Sequence, residues 1–459
     1  MSTFSFKERM KIAAEYLISR RNPDDGGWGL NIEKGFQGSS IVNTTESLFV
    51  INRAELRIND LENTVRYLKD SIREHPIRRG DNLRYLTFGL WGLLEAGLAP
   101  NDPLVIEVAK QIESRFVSNQ GWSELKDDED IRIWPTFQSL WMLTRVFGRE
   151  YVTNRYYTCL ANLLNTGRRN QHRWGFSEKE SASLAATSYV LILLAALYPG
   201  TPDILQTRQS VLEMFSRALT SNLAIEVEAV AGTDWHHYSY SWGLKAIHCV
   251  GAPLDQNAYS ITLRALAYVN TLFLEGRGFS EPGKPVCNVR SNFNCVLAID
   301  AVIRGFDPSD YFYLEQVLHE ATLVEKRSVF LSFSYEPKDI ELAEGLRKLL
   351  EAVGHTVITG EKNPMGSLSK SILKKIRQAE KCVVVMTCRD KKENGKFTTS
   401  SWLLEEKGAA LALGKACLML VEEGIDDKEI GGLQGDDQRL HFRRENFATI
   451  VAEVLRMLR

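Results

Sequence analysis

Apolar positions follow two different patterns along this chain. In the first two thirds they recur at spacings of three and four residues, which places them on one face of a helix. The clearest such stretches are residues 85–94, 137–146, 184–197 and 293–303. From residue 327 onward the pattern changes to short runs of residues typical of strands, at 329–334 and 382–387. The pattern predicts an all-α region, 1–322, followed by an α/β region, 327–459.

The α/β region alternates strands with helices. A helical stretch at 340–353 and a further strand candidate at 355–359 lie between the two apolar runs. A helix is also predicted at 368–379. Strands that alternate with helices form a parallel sheet covered on both faces, so we predict that architecture here.

The helical region repeats itself with a period of roughly 40 to 55 residues, in the range of helical-pair arrays. The unit is a helix, a turn with glycine and an aromatic residue, and a second, more apolar helix. The turns lie at 24–29, 120–123, 173–177 and 276–280. The second helices are predicted to start near Asn43, Asn82, Ile133, Ser183, Tyr238 and Ser291. We interpret the turn tryptophans as structural wedges between helix ends, with ligand contact as the alternative.

Two of these turns carry a family resemblance. The segments 22–29 (Asn-Pro-Asp-Asp-Gly-Gly-Trp-Gly) and 278–285 (Gly-Phe-Ser-Glu-Pro-Gly-Lys-Pro) resemble turns of the terpenoid cyclase and protein prenyltransferase superfamily. The resemblance covers most of residues 1–322. It implies a toroid of six inner and six outer helices around a pocket.

The catalytic residues of that superfamily are not matched. The acidic cluster 127–130 (Asp-Asp-Glu-Asp) departs from the Asp-x-Asp-Asp-Thr motif of the cyclases, and we expect a solvated loop or helix cap there. Where zinc prenyltransferases have an Asp and a Cys, this chain has Cys287 and Asn292. His236 and His237 are the remaining metal-ligand candidates, and we expect them to be surface residues. We therefore predict no metal and interpret the toroid as a binding or sensing module for an unknown ligand or protein.

Composition narrows the class of protein. The 459 residues include 56 Lys+Arg and 58 Asp+Glu, a formal net charge of -2, so binding of nucleic acid by bulk phosphate neutralisation is not expected. The seven cysteines form no CxxC pair, which favours a reducing compartment. No secretory signal or membrane-spanning stretch is evident, and we expect a cytoplasmic protein without a membrane partner.

The C-terminal region carries several motifs in one order. They are Phe-Leu-Ser-Phe at 330–333, Pro-x-Gly at 364–366, and Ser-Trp-x-x-x-Glu-x-Gly at 401–408. In order and spacing the segment 329–458 resembles a TIR domain. The resemblance implies a flavodoxin-like parallel sheet whose ligands gather at the carboxyl ends of the strands. Ser332, Phe333 and Ser334 end one strand and are expected to face the same cleft as the helix that begins near Trp402.

Many TIR domains cleave the bond between nicotinamide and ribose in NAD+ with a glutamate at the position of Glu406. A carboxylate suits this reaction because positive charge develops on the ribose as the bond breaks. Trp402 precedes Glu406 by four residues, so a helix places both on one face. Glu405 is the rival carboxylate, and an exposed Glu406 beside a core tryptophan is the structural alternative. The resemblance assigns NAD+ binding to Ser332, Phe333, Ser334, Lys362, Ser401 and Trp402.

Together these patterns predict an NAD+ glycohydrolase that uses NAD+ as substrate and needs no cofactor. It would release nicotinamide and ADP-ribose or a cyclic isomer. We expect a signal at the toroid to drive homo-oligomerisation through the TIR domains, a design that resembles prokaryotic antiviral defence. The alternatives are a non-enzymatic TIR adaptor and a terpenoid-cyclising or prenyl-transferring enzyme with a regulatory TIR tail.

Overall fold

The structure is a computed structural model that describes most of the chain. The described residues are 5–34, 38–78, 82–125, 130–220, 225–230, 233–251, 256–305, 314–315, 317–318, 327–352, 354–360, 370–430, 438–444, 447 and 450–458. They form two compact units. One comprises Ser5–Pro253 and Tyr268–Phe306, and the other comprises Leu254–Ala267 and Asp307–Arg459. Among the described residues, no helix combines the length and apolar composition that crossing a membrane requires.

The chain up to residue 305 is mainly helical. Its helices are α1 (Phe6–Ser19), α2 (Ile41–Arg53), α3 (Leu61–Arg78), α4 (Leu83–Glu95), α5 (Pro103–Ser114), α6 (Ile133–Phe147), α7 (Arg149–Arg155), α8 (Tyr157–Arg169), α9 (Leu184–Leu197), α10 (Pro202–Thr220), α11 (Ser239–His248), α12 (Gln256–Thr271) and α13 (Val289–Gly305). Its strands are β1 (Glu226–Val230), β2 (Thr233–His237), β3 (Phe273–Leu274) and β4 (Gly278–Phe279). The predominantly helical character predicted from the apolar spacing is confirmed.

Six of these helices form a closed ring. In chain order α2, α4, α6, α9, α11 and α13 each pack against the next, and α13 packs against α2. Each begins within two residues of the start predicted from the repeats. Helix α9 is apolar on all sides and nearly all its residues are buried, as expected for a helix in the centre of a unit. Helices α1, α3, α5, α7 and α10 pack against members of the ring.

Three tryptophans in the turns join the helices that flank them. Each indole N–H donates to a carbonyl of the preceding helix: Trp28 to Leu17 at 2.7 Å, Trp122 to Ile112 at 2.8 Å and Trp174 to Leu163 at 3.2 Å. Each tryptophan backbone N–H donates to a threonine hydroxyl on the following ring helix, namely Thr44, Thr136 and Thr187. All three rings are buried. Their predicted role as structural wedges is confirmed.

Glycine at position 121 is required by this turn geometry. Gly121 has a φ of +146°, and a Cβ there would lie 2.5 Å from the Thr136 hydroxyl oxygen. Any side chain would therefore push apart the turn and the helix that it caps.

A hairpin that the apolar pattern did not predict lies between α10 and α11. Strands β1 and β2 pair antiparallel, with Glu228 opposite Trp235. Each strand has only five residues, too few for period-two alternation to stand out from the surrounding helical pattern.

The C-terminal unit contains a five-stranded parallel sheet. Its strands are β5 (Ser328–Phe333), β6 (Thr356–Thr359), β7 (Lys381–Met386), β8 (Ala416–Glu422) and β9 (Gln438–Phe442), in the spatial order β6-β5-β7-β8-β9. The helices between and after them are α14 (Pro337–Ala352), α15 (Lys370–Gln378), α16 (Ser401–Ala412) and α17 (Val451–Met457). The predicted parallel sheet with helices between its strands is confirmed. The last two strands, β8 and β9, were not predicted.

Candidate active site

Glu406 lies inside the C-terminal unit, next to strand β5. Its side chain is about 1% exposed, and its Oε2 accepts a hydrogen bond of 2.5 Å from the Ser332 hydroxyl. Ser332 is also about 1% exposed and precedes the last residue of β5. The alternative of an exposed surface glutamate is therefore wrong.

The position of Glu406 follows from the way α16 packs. This helix contacts β5, β7 and β8, and its buried residues are Leu403, Glu406, Lys407 and Ala410. Their spacing of three and four residues defines one face of a helix. The sequence thus places a carboxylate on the buried face of this helix, where packing alone favours an apolar side chain.

The buried carboxylate is only partly hydrogen-bonded. Among the described residues, Oε1 of Glu406 has no hydrogen-bond partner. Burial raises the pKa of Glu406, and the Ser332 hydroxyl and the Trp402 indole lower it by smaller amounts. A buried acceptor without a partner costs free energy, so stability alone does not explain a carboxylate at this position.

A glycine lies against the free oxygen. Gly360 directly follows β6, the neighbour of β5 in the sheet, and a Cβ on it would lie 3.1 Å from Glu406 Oε1 and 3.4 Å from the Tyr335 hydroxyl oxygen. Because glycine has no side chain, the backbone after β6 can pass close to the carboxylate.

Trp402 and Ser401 occupy the first turn of α16. Trp402 is partly buried and packs against the apolar core beneath the helix. Ser401 and Glu405 are exposed. Glu405 therefore projects away from Ser332, and Glu406 is the carboxylate that faces the strand.

The other predicted NAD+-binding residues are more dispersed. Phe333 follows Ser332 in the strand, and successive side chains of a strand point to opposite faces of the sheet. The Phe333 ring lies 4.9 Å from the Tyr335 ring. The Ser334 hydroxyl accepts a hydrogen bond of 3.3 Å from the Glu336 backbone N–H. Lys362 lies outside the described residues. The structure brings together Ser332, Trp402 and Glu406 from the predicted set.

A charged network at the carboxyl ends of the strands was not predicted. The Arg444 guanidinium donates to Asp339 at 2.6 Å and to Glu422 at 2.7 Å, and both carboxylates raise its pKa. Asp339 also accepts from the Thr387 hydroxyl at 2.8 Å. Its members are 22 to 105 residues apart, and no local motif links them. The network ties helix α14 to the ends of β7 and β8.

The metal-ligand candidates of the first region have other partners. His237 is 5% exposed, so the expectation of a surface residue is wrong for it: one ring nitrogen contacts Tyr189 and the other contacts Glu228, each at 2.8 Å. His236 is exposed, as expected. The Asn292 amide donates to Cys287 Sγ at 3.0 Å. Among the described residues, no group of three or more His, Cys, Asp or Glu is arranged to hold a metal ion.

The acidic cluster 127–130 lies mostly outside the described residues. Only Asp130 is described, and Arg132 donates a hydrogen bond to it at 2.8 Å.

Comparison with known proteins adds no assignment. A scan against protein-family models finds no match to this chain, and a search of the curated proteins finds none.

Proposed function

We propose that this protein is an NAD+ glycohydrolase of the TIR type, with Glu406 as its catalytic carboxylate. The observation that carries the proposal is the environment of Glu406. One oxygen is oriented by Ser332, the other has no hydrogen-bond partner among the described residues, and glycine rather than a side chain adjoins it. The strand order β6-β5-β7-β8-β9 supports the proposal, since it is that of flavodoxin-like sheets.

In such sheets ligands bind beyond the carboxyl ends of the strands, where the strand order reverses. Here the reversal lies between β5 and β7, and Ser332 stands near the end of β5. Glu406 reaches that strand from the helix that follows β7. The proposed site therefore coincides with the position that the sheet topology favours.

The reaction requires stabilisation of positive charge rather than a strong acid. The bond between the ribose carbon and the nicotinamide nitrogen breaks, and both electrons pass to that nitrogen and neutralise its charge. The ribose carbon becomes an oxocarbenium ion. The ionised Glu406 stabilises this cation, and the low exposure of the site strengthens the attraction. Water then adds to the carbon and loses a proton to give ADP-ribose, or an adenine nitrogen adds to give a cyclic isomer.

The closed ring of six helices supports the second part of the proposal, a terpenoid cyclase-like toroid that senses a signal. Binding of the signal would favour self-association of the C-terminal unit and thereby activate NAD+ cleavage. A role in antiviral defence in the cytoplasm of a prokaryote rests on the TIR resemblance alone.

Replacement of Glu406 by glutamine tests the enzymatic part. We expect Glu406→Gln to reduce nicotinamide release from NAD+ by about 100- to 1,000-fold, because it removes the charge that stabilises the transition state. Purified protein is incubated with NAD+, and the products are separated by chromatography.

The matched control is Glu405→Gln. It makes the same chemical change one residue earlier on the same helix, at an exposed side chain. We expect it to keep wild-type activity. Equal nicotinamide release by wild type and Glu406→Gln, or an equal loss in both variants, would remove Glu406 from the mechanism.

A further inference from the structure

A cavity of about 210 Å³ lies within the ring of the first unit. Side chains from all six ring helices line it, and residues 234–237 of the β1–β2 hairpin and Tyr238 line it as well. The lining includes charged and aromatic side chains, among them Glu46, Arg84, Trp134, Trp235, Trp242 and Arg290.

Aromatic rings form much of the wall. Trp134 lies 4.7 Å from Tyr189 and 5.6 Å from Trp242, measured between ring centroids. Trp242 in turn lies 6.4 Å from Phe293. These rings come from α6, α9, α11 and α13, so four helices supply one continuous aromatic surface. Such a surface favours a planar, apolar group.

Two arginines face the same space. The Arg84 guanidinium lies 5.1 Å from the Trp235 ring and 5.6 Å from the Phe88 ring. Its buried Nε has no hydrogen-bond partner among the described residues. Arg290 approaches Glu46, but its Nε lies 3.8 Å from the nearest carboxylate oxygen, too far for a hydrogen bond. Both guanidinium groups therefore keep donors available for a ligand.

The single buried carboxylate of the lining does not satisfy these donors. Glu46 is 3% exposed, and its Oε2 has no hydrogen-bond partner among the described residues. Burial raises the pKa of Glu46. Glu124, which lies near Arg84, has a pKa raised by burial to about 7. The lining also contains Asp234, but this residue is exposed. The buried part of the cavity therefore has two guanidinium groups against one carboxylate and favours an anion.

The hairpin that borders the cavity is held at several points. Glu226 accepts hydrogen bonds from the backbone N–H groups of Leu184 and Ala185 at the start of α9, at 3.0 and 2.7 Å. Glu228 accepts from Arg132 at 2.7 Å and contacts His237 at 2.8 Å. Because these contacts fix the hairpin without a ligand, the cavity is preformed, and binding requires little ordering of the protein.

We propose that this cavity is a binding site for a small anion that carries one or two planar rings. Its carboxylate or phosphate would be held by Arg84 and Arg290, and its rings would pack against Trp134 and Trp242. The size agrees, since a cavity of about 150 Å³ accommodates benzene. Guanidinium groups bind carboxylate and phosphate through paired hydrogen bonds, which explains why arginine occupies both positions.

This inference deepens the sensing part of the proposed function. It is tested by measuring ligand binding rather than nicotinamide release, so the proposed binding site and the proposed enzymatic activity can each fail alone.

The test is isothermal titration calorimetry of the full chain with four probes. Indole-3-carboxylate and phenyl phosphate represent the two anionic groups, adenosine monophosphate is a larger phosphate, and indole-3-carboxamide is the neutral isostere. We expect the anions to bind more tightly than the carboxamide. The preferred anion identifies carboxylate or phosphate as the recognised group.

Arg84→Met and Arg290→Met, tested separately, are expected to weaken binding of the preferred anion by about 10- to 100-fold, the effect of removing a charge-assisted hydrogen bond. Arg304→Met is the control, because Arg304 lies on the same helix as Arg290 but is exposed and absent from the lining. Circular dichroism checks that each variant is folded. If an arginine variant is not folded, Trp235→Ala provides a further test of binding in the cavity. Wild-type protein that binds no anionic probe at millimolar concentration, or that binds the carboxamide equally well, would overturn the proposal.

Discussion

At the scale of single residues, the burial of Glu406 costs stability, while the proposed function gives this carboxylate a role in catalysis. Its carboxylate is buried beside Ser332, and burial raises its pKa. A raised pKa in the folded state means that folding favours the protonated form. Stability from this group is thus fully present below the ordinary glutamate pKa of 4.5 and is lost as pH rises through the folded value. The ionised form that the proposed catalysis requires is the form that destabilises the fold.

Ser332→Ala tests the coupling between hydroxyl and carboxylate. The hydroxyl donates to the carboxylate and lowers its pKa, so its removal should raise that pKa further. We expect the acidic limb of the pH profile of nicotinamide release to move to higher pH by about one unit, since one hydrogen bond to a charged group is worth about 1.5–3 kcal/mol before other groups compensate.

Ser334→Ala is the control for that profile. The Ser334 hydroxyl accepts from the Glu336 backbone rather than from the carboxylate, so its loss should leave the limb in place. An acidic limb that stays fixed or moves to lower pH in Ser332→Ala would contradict the assignment.

Local spacing predicted part of the site. The four-residue interval between Trp402 and Glu406, together with the motif around them, was enough to select Glu406 over Glu405. The pairing of Glu406 with Ser332 spans 74 residues and was expected only because both were assigned to one cleft through the TIR resemblance. His237 was assigned wrongly because its partners, Glu228 and Tyr189, lie on other elements.

At the scale of elements, the repeated turns were the most predictable part of the fold. Glycine and an aromatic residue mark each turn in the sequence, and the structure gives the three turn tryptophans the same two hydrogen bonds. The β1–β2 hairpin interrupts that series and was not predicted. Its side chains contact Arg132, which precedes α6, and the first residues of α9, and no local pattern of apolar residues predicts such contacts.

Trp122→Phe measures the contribution of one turn. The phenyl ring keeps most of the apolar contact but leaves the Ile112 carbonyl without its indole donor. The carbonyl keeps its hydrogen bond of 3.1 Å from the Arg115 backbone N–H. We therefore expect the free energy of unfolding to fall by about 1–3 kcal/mol, from the loss of one buried hydrogen bond together with the smaller ring volume. Denaturant titration followed by circular dichroism gives the value.

Trp141→Phe is the comparison for ring size. Trp141 is partly buried on α6 and stacks on Phe137, and its indole makes no hydrogen bond within the described part of the chain. A loss of stability in Trp122→Phe no larger than that in Trp141→Phe would show that the hydrogen bond contributes nothing.

At the scale of the whole molecule, the change in apolar pattern predicted two regions of different class. It did not predict that Leu254–Ala267 would belong to the same compact unit as Asp307–Arg459. The period of the apolar residues shows which face of a helix is buried but not which element covers that face. Such patterns therefore cannot predict a compact unit made of separate segments of the chain.

The proposed assembly predicts a dependence on protein concentration. If the active site is completed only when C-terminal units associate, nicotinamide release per molecule should rise with enzyme concentration and reach a plateau. Activity is measured over a wide dilution series, with sedimentation velocity on the same samples. A constant rate per molecule across a range in which the sedimentation coefficient changes would contradict activation by self-association.

Closure of the ring has a consequence for biosynthesis. One of the two ring neighbours of helix α2, α13, is translated more than two hundred residues after it. Until then the nascent chain exposes an apolar flank that only α13 can cover, and contacts of such long sequence separation form slowly. The growing polypeptide therefore needs protection from aggregation while the segment between α2 and α13 is synthesised.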